Sequence, residues 1–115
     1  MAISRSPWMG VVTLTTASTP YQLSALLTAL PAATAPTLGA VPRAEYIALQ
    51  ADPNAGGAKF YIGNEALSTT FYGILLYAAQ TWPIYSTDVN IIRLDQVYVM
   101  SDTDAMKLGV TFITR

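Results

Sequence analysis

The sequence predicts a mainly β fold, an antiparallel β-sandwich or jelly-roll-like barrel with one short N-terminal helix. Three observations point there. Short runs rich in Val, Ile, Thr, Tyr and Phe recur at spacings of about 8–14 residues with turn residues between them. Helical periodicity is confined to one Leu stripe near the N-terminus. The 115 residues, 52% of them hydrophobic, are enough for one core and too few for two.

Residues 9–16, Met-Gly-Val-Val-Thr-Leu-Thr-Thr, are rich in β-branched types and alternate from Val12, so they read as a strand. Thr19-Pro20-Tyr21-Gln22 reads as a helix start, with Thr19 as N-cap, Pro20 at the first helical position and Gln22 closing a capping box. Leu23, Leu26, Leu27 and Leu30 then mark one face of a short helix that Pro31 ends. Residues 31–42 are rich in Pro and Ala and read as an extended connector. Glu45–Ala51 alternates, with Ile47 and Leu49 on one face. The turn 52–57, Asp-Pro-Asn-Ala-Gly-Gly, leads into Lys59–Gly63 as the second arm of a hairpin. Residues 64–70 read as a polar loop and Phe71–Ala78 as a buried strand. Trp82–Ser86 carries Pro83, which places it at an edge. Residues 88–94 fit no single element. Gln96–Ser101 and Lys107–Thr114 form a closing hairpin, with Leu108, Val110 and Phe112 sharing a face. The chain is one domain overall. Residues 1–42 form an N-terminal arm of strand, helix and Pro/Ala connector, and residues 43–115 the sandwich core. The arm is expected to reach a neighbouring molecule while the core folds without it.

The surface is short of charge. Six Lys or Arg and seven Asp or Glu give a net charge of −1. A soluble domain of this length carries about 29 charged residues. Spread over the roughly 6,100 Å² that a chain of this mass exposes, thirteen charges fall to less than half the usual density. With mean hydropathy at +0.37, such a surface suits a chain that other polypeptides cover. The chain holds no His and no Cys. It therefore has no Ser-His-Asp triad, imidazole metal ligand, disulfide, thiolate nucleophile or zinc knuckle. The basic residues are scattered singly, which argues against nucleic acid. The longest central apolar run, Tyr72–Ala79, is eight residues against the roughly 20 that a membrane helix needs. No signal-peptide pattern opens the chain. A soluble, unprocessed protein without cofactor, metal or membrane partner is expected.

Candidate sites are few. Asp102-Thr103-Asp104 resembles the start of a calcium loop but lacks its glycine and distal Glu, and a solvated turn accounts for it. Glu45 and Glu65 are separate carboxylates that no spacing brings together as a glycosidase pair. Gly56-Gly57 lacks the helix and Lys-Ser/Thr of a phosphate loop. No enzyme is expected. The aromatic residues are more informative. Trp8, Tyr72, Tyr77, Trp82, Tyr85 and Tyr98 sit among Thr, Ser and Asn, a setting that suits half-buried strand positions, protein interfaces or sugar stacking. Trp8, Leu38, Tyr72, Tyr77, Trp82 and Tyr85 are the candidate interface residues. Trp82 with Tyr85 is the stacking platform if the chain is a carbohydrate-binding module.

The stretch from Tyr46-Ile-Ala-Leu-Gln-Ala-Asp-Pro to Lys59-Phe-Tyr-Ile-Gly63 is followed by Leu67-Ser68, Gly73-Ile-Leu-Leu76 and Leu94-Asp-Gln-Val-Tyr-Val99. This string, with the Thr19–Leu23 segment, resembles small all-β virion proteins of tailed bacteriophages and covers about residues 44–115. The resemblance implies a structural role in the virion, made in the host cytoplasm and placed on the capsid. A capsid decoration or cement protein would bind the major capsid protein or other virion proteins and act as a homo-oligomer, dimer or trimer. A tail or baseplate component fits the same string.

Overall fold

The computed structural model describes residues 8–36, 38, 43–85 and 92–114. Nine strands, one helix and one 3₁₀ turn are found among them. They are β1 (Trp8–Leu14), β2 (Tyr21–Gln22), α1 (Leu23–Thr28), β3 (Arg43–Ala51), β4 (Phe60–Gly63), β5 (Ile74–Leu76), β6 (Thr81–Tyr85), β7 (Ile92–Arg93), the 3₁₀ turn Leu94–Gln96, β8 (Tyr98–Ser101) and β9 (Met106–Thr114). All pairings are antiparallel. The larger sheet runs β1-β9-β3-β6, with β7 also on β3, and the smaller runs β2-β8-β4-β5. This is the sandwich that the strand spacing predicts, with open edges rather than a closed barrel.

The core follows from side-chain alternation. Val12, Leu14, Ile47, Leu49, Ala51, Leu108, Val110 and Phe112 point inward from the larger sheet, and Phe60, Ile62, Leu76 and Val99 face them from the smaller. Leu23 and Leu27 of α1 join the same cluster, as the Leu periodicity requires. The strand and helix of the expected arm are thus integral to the core that residues 43–114 build. Residues 1–7 and most of 37–42 lie outside the described residues. A bulge at Glu45 shifts β3 against β9 between Ala44 and Tyr46. The extra residue keeps Ala44 and Ile47 both buried and leaves Glu45 only half-buried.

Two expected hairpins are arches instead. β3 and β4 belong to different sheets, and so do β8 and β9. A hairpin would set both arms in one sheet. Crossing between sheets lets Ile47 and Leu49 pack opposite Phe60 and Ile62, so both apolar faces are buried in one core. Four crossings, β1–β2, β3–β4, β5–β6 and β8–β9, each hold a residue at positive φ: Ser18, Gly56, Ala79 and Ala105. Hydrogen bonds lace them together. Ser18 N–H donates to Ser101 O at 2.7 Å, Ala105 N–H to Thr15 O at 3.1 Å, and Ala79 N–H to Ala51 O at 3.1 Å. A left-handed alanine costs about 1–2 kcal/mol, more than the chain entropy that glycine adds. Ala105→Gly is therefore expected to stabilise the fold by about 0.5 kcal/mol, roughly 2–3 °C in thermal melting.

Three further elements differ from expectation. The helix begins at Leu23, its N-cap is Gln22, and no side chain caps it. Tyr21 and Gln22 instead pair with Val99 and Tyr98 of β8, and Leu23 N–H donates to Val97 O at 2.8 Å. Sheet pairing overrides the local capping signal of Thr19, whose hydroxyl donates to Ala17 O. The strand expected over 71–78 shrinks to Ile74–Leu76, because residues 64–73 fold as a loop. Asn64 Oδ1 accepts from Ala66 N–H, and Ser68 Oγ accepts from Phe71 N–H. In the segment expected to be a simple connector, Thr34 and Ala35 N–H both donate to Pro31 O, closing a turn. By contrast, β6 stands at a sheet edge, as Pro83 foretells.

Candidate functional site

The two sheets differ in what lies outside them. On the smaller sheet Tyr61, Met100, Leu75 and Tyr98 face away from the main core, but the loop after β4 folds back, and Tyr61 and Met100 are buried while Leu75 and Tyr98 are half-buried. Leu67 packs into that second cluster, and Tyr72 meets Tyr61 edge-on with centroids 5.0 Å apart. Met100 is left 1% exposed. The larger sheet has no such cover among the described residues.

Its outer face can be read row by row from the register. Thr111 lies between Met9 and Ala48, and Ala48 pairs onward with Pro83. Gly109 lies between Val11 and Gln50, which pairs with Thr81. Ile113 neighbours Tyr46, and Lys107 neighbours Thr13. Met9 is 70% and Val11 52% exposed. Across these rows Lys107 is the one ionised side chain. Gly109, lacking a side chain, leaves a shallow dip of about 160 Å³ bounded by Val11, Gln50, Asp52, Pro53 and Lys107. The face presents apolar and hydroxyl groups on a rigid sheet, which suits contact with another protein surface.

The carboxylates are occupied with structure. Asp104 Oδ1 accepts Ala17 N–H at 2.6 Å, and Asp102 Oδ1 accepts Lys59 N–H at 2.9 Å. Asp52 Oδ1 accepts Asn54 N–H at 2.9 Å. These bonds hold the arches, which explains Asp102-Thr103-Asp104 as turn chemistry. Glu45 lies on β3 of the larger sheet and Glu65 in the loop that follows β4 of the smaller one. No group of three or more metal-ligating side chains occurs among the described residues. Arg93 binds Asp95 through two nitrogens, at 3.1 and 2.8 Å, which offsets the like charge of Arg43 opposite it. Tyr21 has its hydroxyl drawn below the usual tyrosine range, first by the Thr15 hydroxyl and then by Thr16.

The expected interface residues are not brought together. Trp8 points inward, with its ring 5.3 Å from Phe112, and its indole N–H donates to Thr34 O at 3.1 Å. Gly10 makes room for it, since a Cβ there would lie 2.5 Å from the indole. Gly10→Ala is expected to displace the ring and cost about 1–3 kcal/mol as overpacking, read as a lower midpoint in urea. Leu38 and Trp82 pack against the main core, half-buried. Trp82 pairs with Leu49 on the inward face of the sheet. Tyr85 pairs with Tyr46, in the alternate register. Tyr72 and Tyr77 are 44% and 46% exposed and lie outside the larger sheet. The outward row of Met9, Val11, Gly109 and Thr111 escaped sequence reasoning. Its signal was present in the uncharged residues that alternate with Val12, Val110 and Phe112.

Comparisons of the chain with protein-family models, with curated proteins and with solved structures return no match. No helix among the described residues is long and apolar enough to cross a membrane.

Proposed function

We propose that this chain is a structural virion protein of a tailed bacteriophage, a capsid decoration or cement protein that works by laying the outer face of its larger sheet against shell proteins. One observation carries this reading: among the described residues the smaller sheet has its own cover, while the larger presents a nearly uncharged, ordered face to the outside. The exposed area of 6629 Å² is shared by the thirteen charged residues, six basic and seven acidic, about 510 Å² each. The virion assignment rests on the resemblance of residues 44–115 to small phage structural proteins. The sandwich supplies a stiff slab whose contacts are made only in the assembled particle. Any such contact stabilises the particle by mass action. A standard contact covers about 800 Å² per partner, an area that the sheet face with its surrounding loops can provide.

The test is a micrograph of gold-labelled protein mixed with the tailed particles encoded by the same genome. Label distributed over the head supports the proposal. Label confined to the tail moves the protein to a tail or baseplate role. Unlabelled particles at saturating protein overturn the virion reading.

A further inference from the structure

Among the described residues the two sheets leave four edges, and three of them are blunted. β2 is two residues long, β5 is three, and β6 carries Pro83. Short strands and edge prolines guard sheets against pairing with other chains. β1 has neither guard. Trp8–Leu14 runs for seven residues without a proline or a charged side chain, and among the described residues its backbone pairs with β9 alone. A strand paired on one side turns every second residue's N–H and C=O outward. Met9 and Val11, the exposed large hydrophobic residues of the larger sheet's outer face, lie on this strand.

We propose that this edge docks a second copy of the chain, β1 antiparallel to β1, so that two larger sheets become one continuous sheet across a two-fold axis. The strand is compatible with itself. An axis through Val11 pairs all seven residues. On the outer face it sets Met9 against Thr13 of the second copy and Val11 against Val11 of the second copy. On the inner face it sets Gly10 against Val12 of the second copy and Trp8 against Leu14 of the second copy. None of these pairs opposes like charges or buries an ion. The area is sufficient for a reversible dimer. Seven residues at about 3.4 Å each give a seam roughly 24 Å long, and two sheets about 10 Å apart with their side chains make a wall roughly 20 Å high. Each copy then buries about 480 Å², on the order of 1,000 Å² in total, which is the lower bound for a specific interface. Beside the strand, a dip of about 270 Å³ lined by Thr13, Thr15, Tyr21, Leu26 of α1, and Ala29 and Leu30 just beyond that helix adds apolar surface to that wall. The pairing goes beyond the virion reading and does not rest on it, because its test contains no particle.

Sedimentation of the full chain tests it over about 1–300 µM, a range that covers weak, reversible association. The expected result is a reversible monomer–dimer equilibrium in the tens of micromolar. A chain that stays monomeric throughout overturns the proposal and leaves the edge to an extended segment of another protein. Val11→Lys and Val11→Glu change an outward side chain and keep the native melt. Each alone weakens the dimer at least tenfold through like charges at the axis, and mixing the two restores it. Unchanged dimerisation of Val11→Lys places the contact elsewhere and overturns the proposal. The chain has no Cys, so Val11→Cys introduces its single thiol. Mild oxidation links Val11→Cys into dimers and leaves Thr81→Cys, on the opposite edge, monomeric. Equal cross-linking of both variants reports random collision and contradicts the seam.

Discussion

A chain that starts at residue 17 is expected to lose the native fold altogether. The deletion removes all of β1, including Val12 and Leu14, which are 1% and 0% exposed. Burial of each stabilises the fold by about 1.5–3 kcal/mol. It also removes a seven-residue ladder with β9, at about 1 kcal/mol net per hydrogen bond. Phe112 loses the indole of Trp8, and Ala105 N–H loses Thr15 O. The combined loss, about 10 kcal/mol, is comparable to the whole stability of a domain this size. Circular dichroism of the truncated chain is expected to show no cooperative melt. A cooperative transition near that of the full chain would return residues 1–16 to the role of a detachable arm.

Thr111→Glu is expected to weaken binding to the particle about 100-fold while the fold survives. Thr111 lies between Met9 and Ala48 on the outer face of the larger sheet. In the free protein a carboxylate there stays hydrated, so the change in melting temperature is small. Against a covering surface it becomes a charge without a partner, at a cost of about 3 kcal/mol, and each 1.4 kcal/mol is about tenfold in affinity. Pelleting of the variant with particles measures the effect. Thr111→Val, which keeps the shape and removes the hydroxyl, is expected to bind about as well as the parent chain.

Much of the fold is legible in local pattern. Alternation picks out Ile47 with Leu49 and Leu108 with Val110 and Phe112, and the Leu stripe finds α1, because burial on one face imposes those periods. Pro83 marks β6 as an edge, since its missing N–H cannot serve a central ladder. What local pattern does not encode is which sheet a strand joins. Asp52–Gly57 and Asp102–Ala105 look like hairpin turns, and both are arches, because pairing of β4 with β8 and of β3 with β9 is decided by long-range burial. The same limit hid the candidate site. Trp8 and Trp82 draw attention as aromatic residues, yet both are held inward by the core, while the open face is made of Met, Val, Gly, Thr and Ala. Its significance appears only when the register lines those residues up and the loop over Tyr61 and Met100 shows what a covered face looks like.

Footprinting of the free and particle-bound protein addresses the covered face most directly, with Met9 oxidation and Lys107 acetylation as reporters on the larger sheet and Tyr77 iodination as a reporter away from it. At a concentration where the free chain is monomeric, Met9 and Lys107 are expected to be modified readily, and both should be protected on the particle while Tyr77 still reacts. Equal modification of Met9 and Lys107 in the two states would show that the larger sheet faces solvent in the assembly, and that another surface makes the contact.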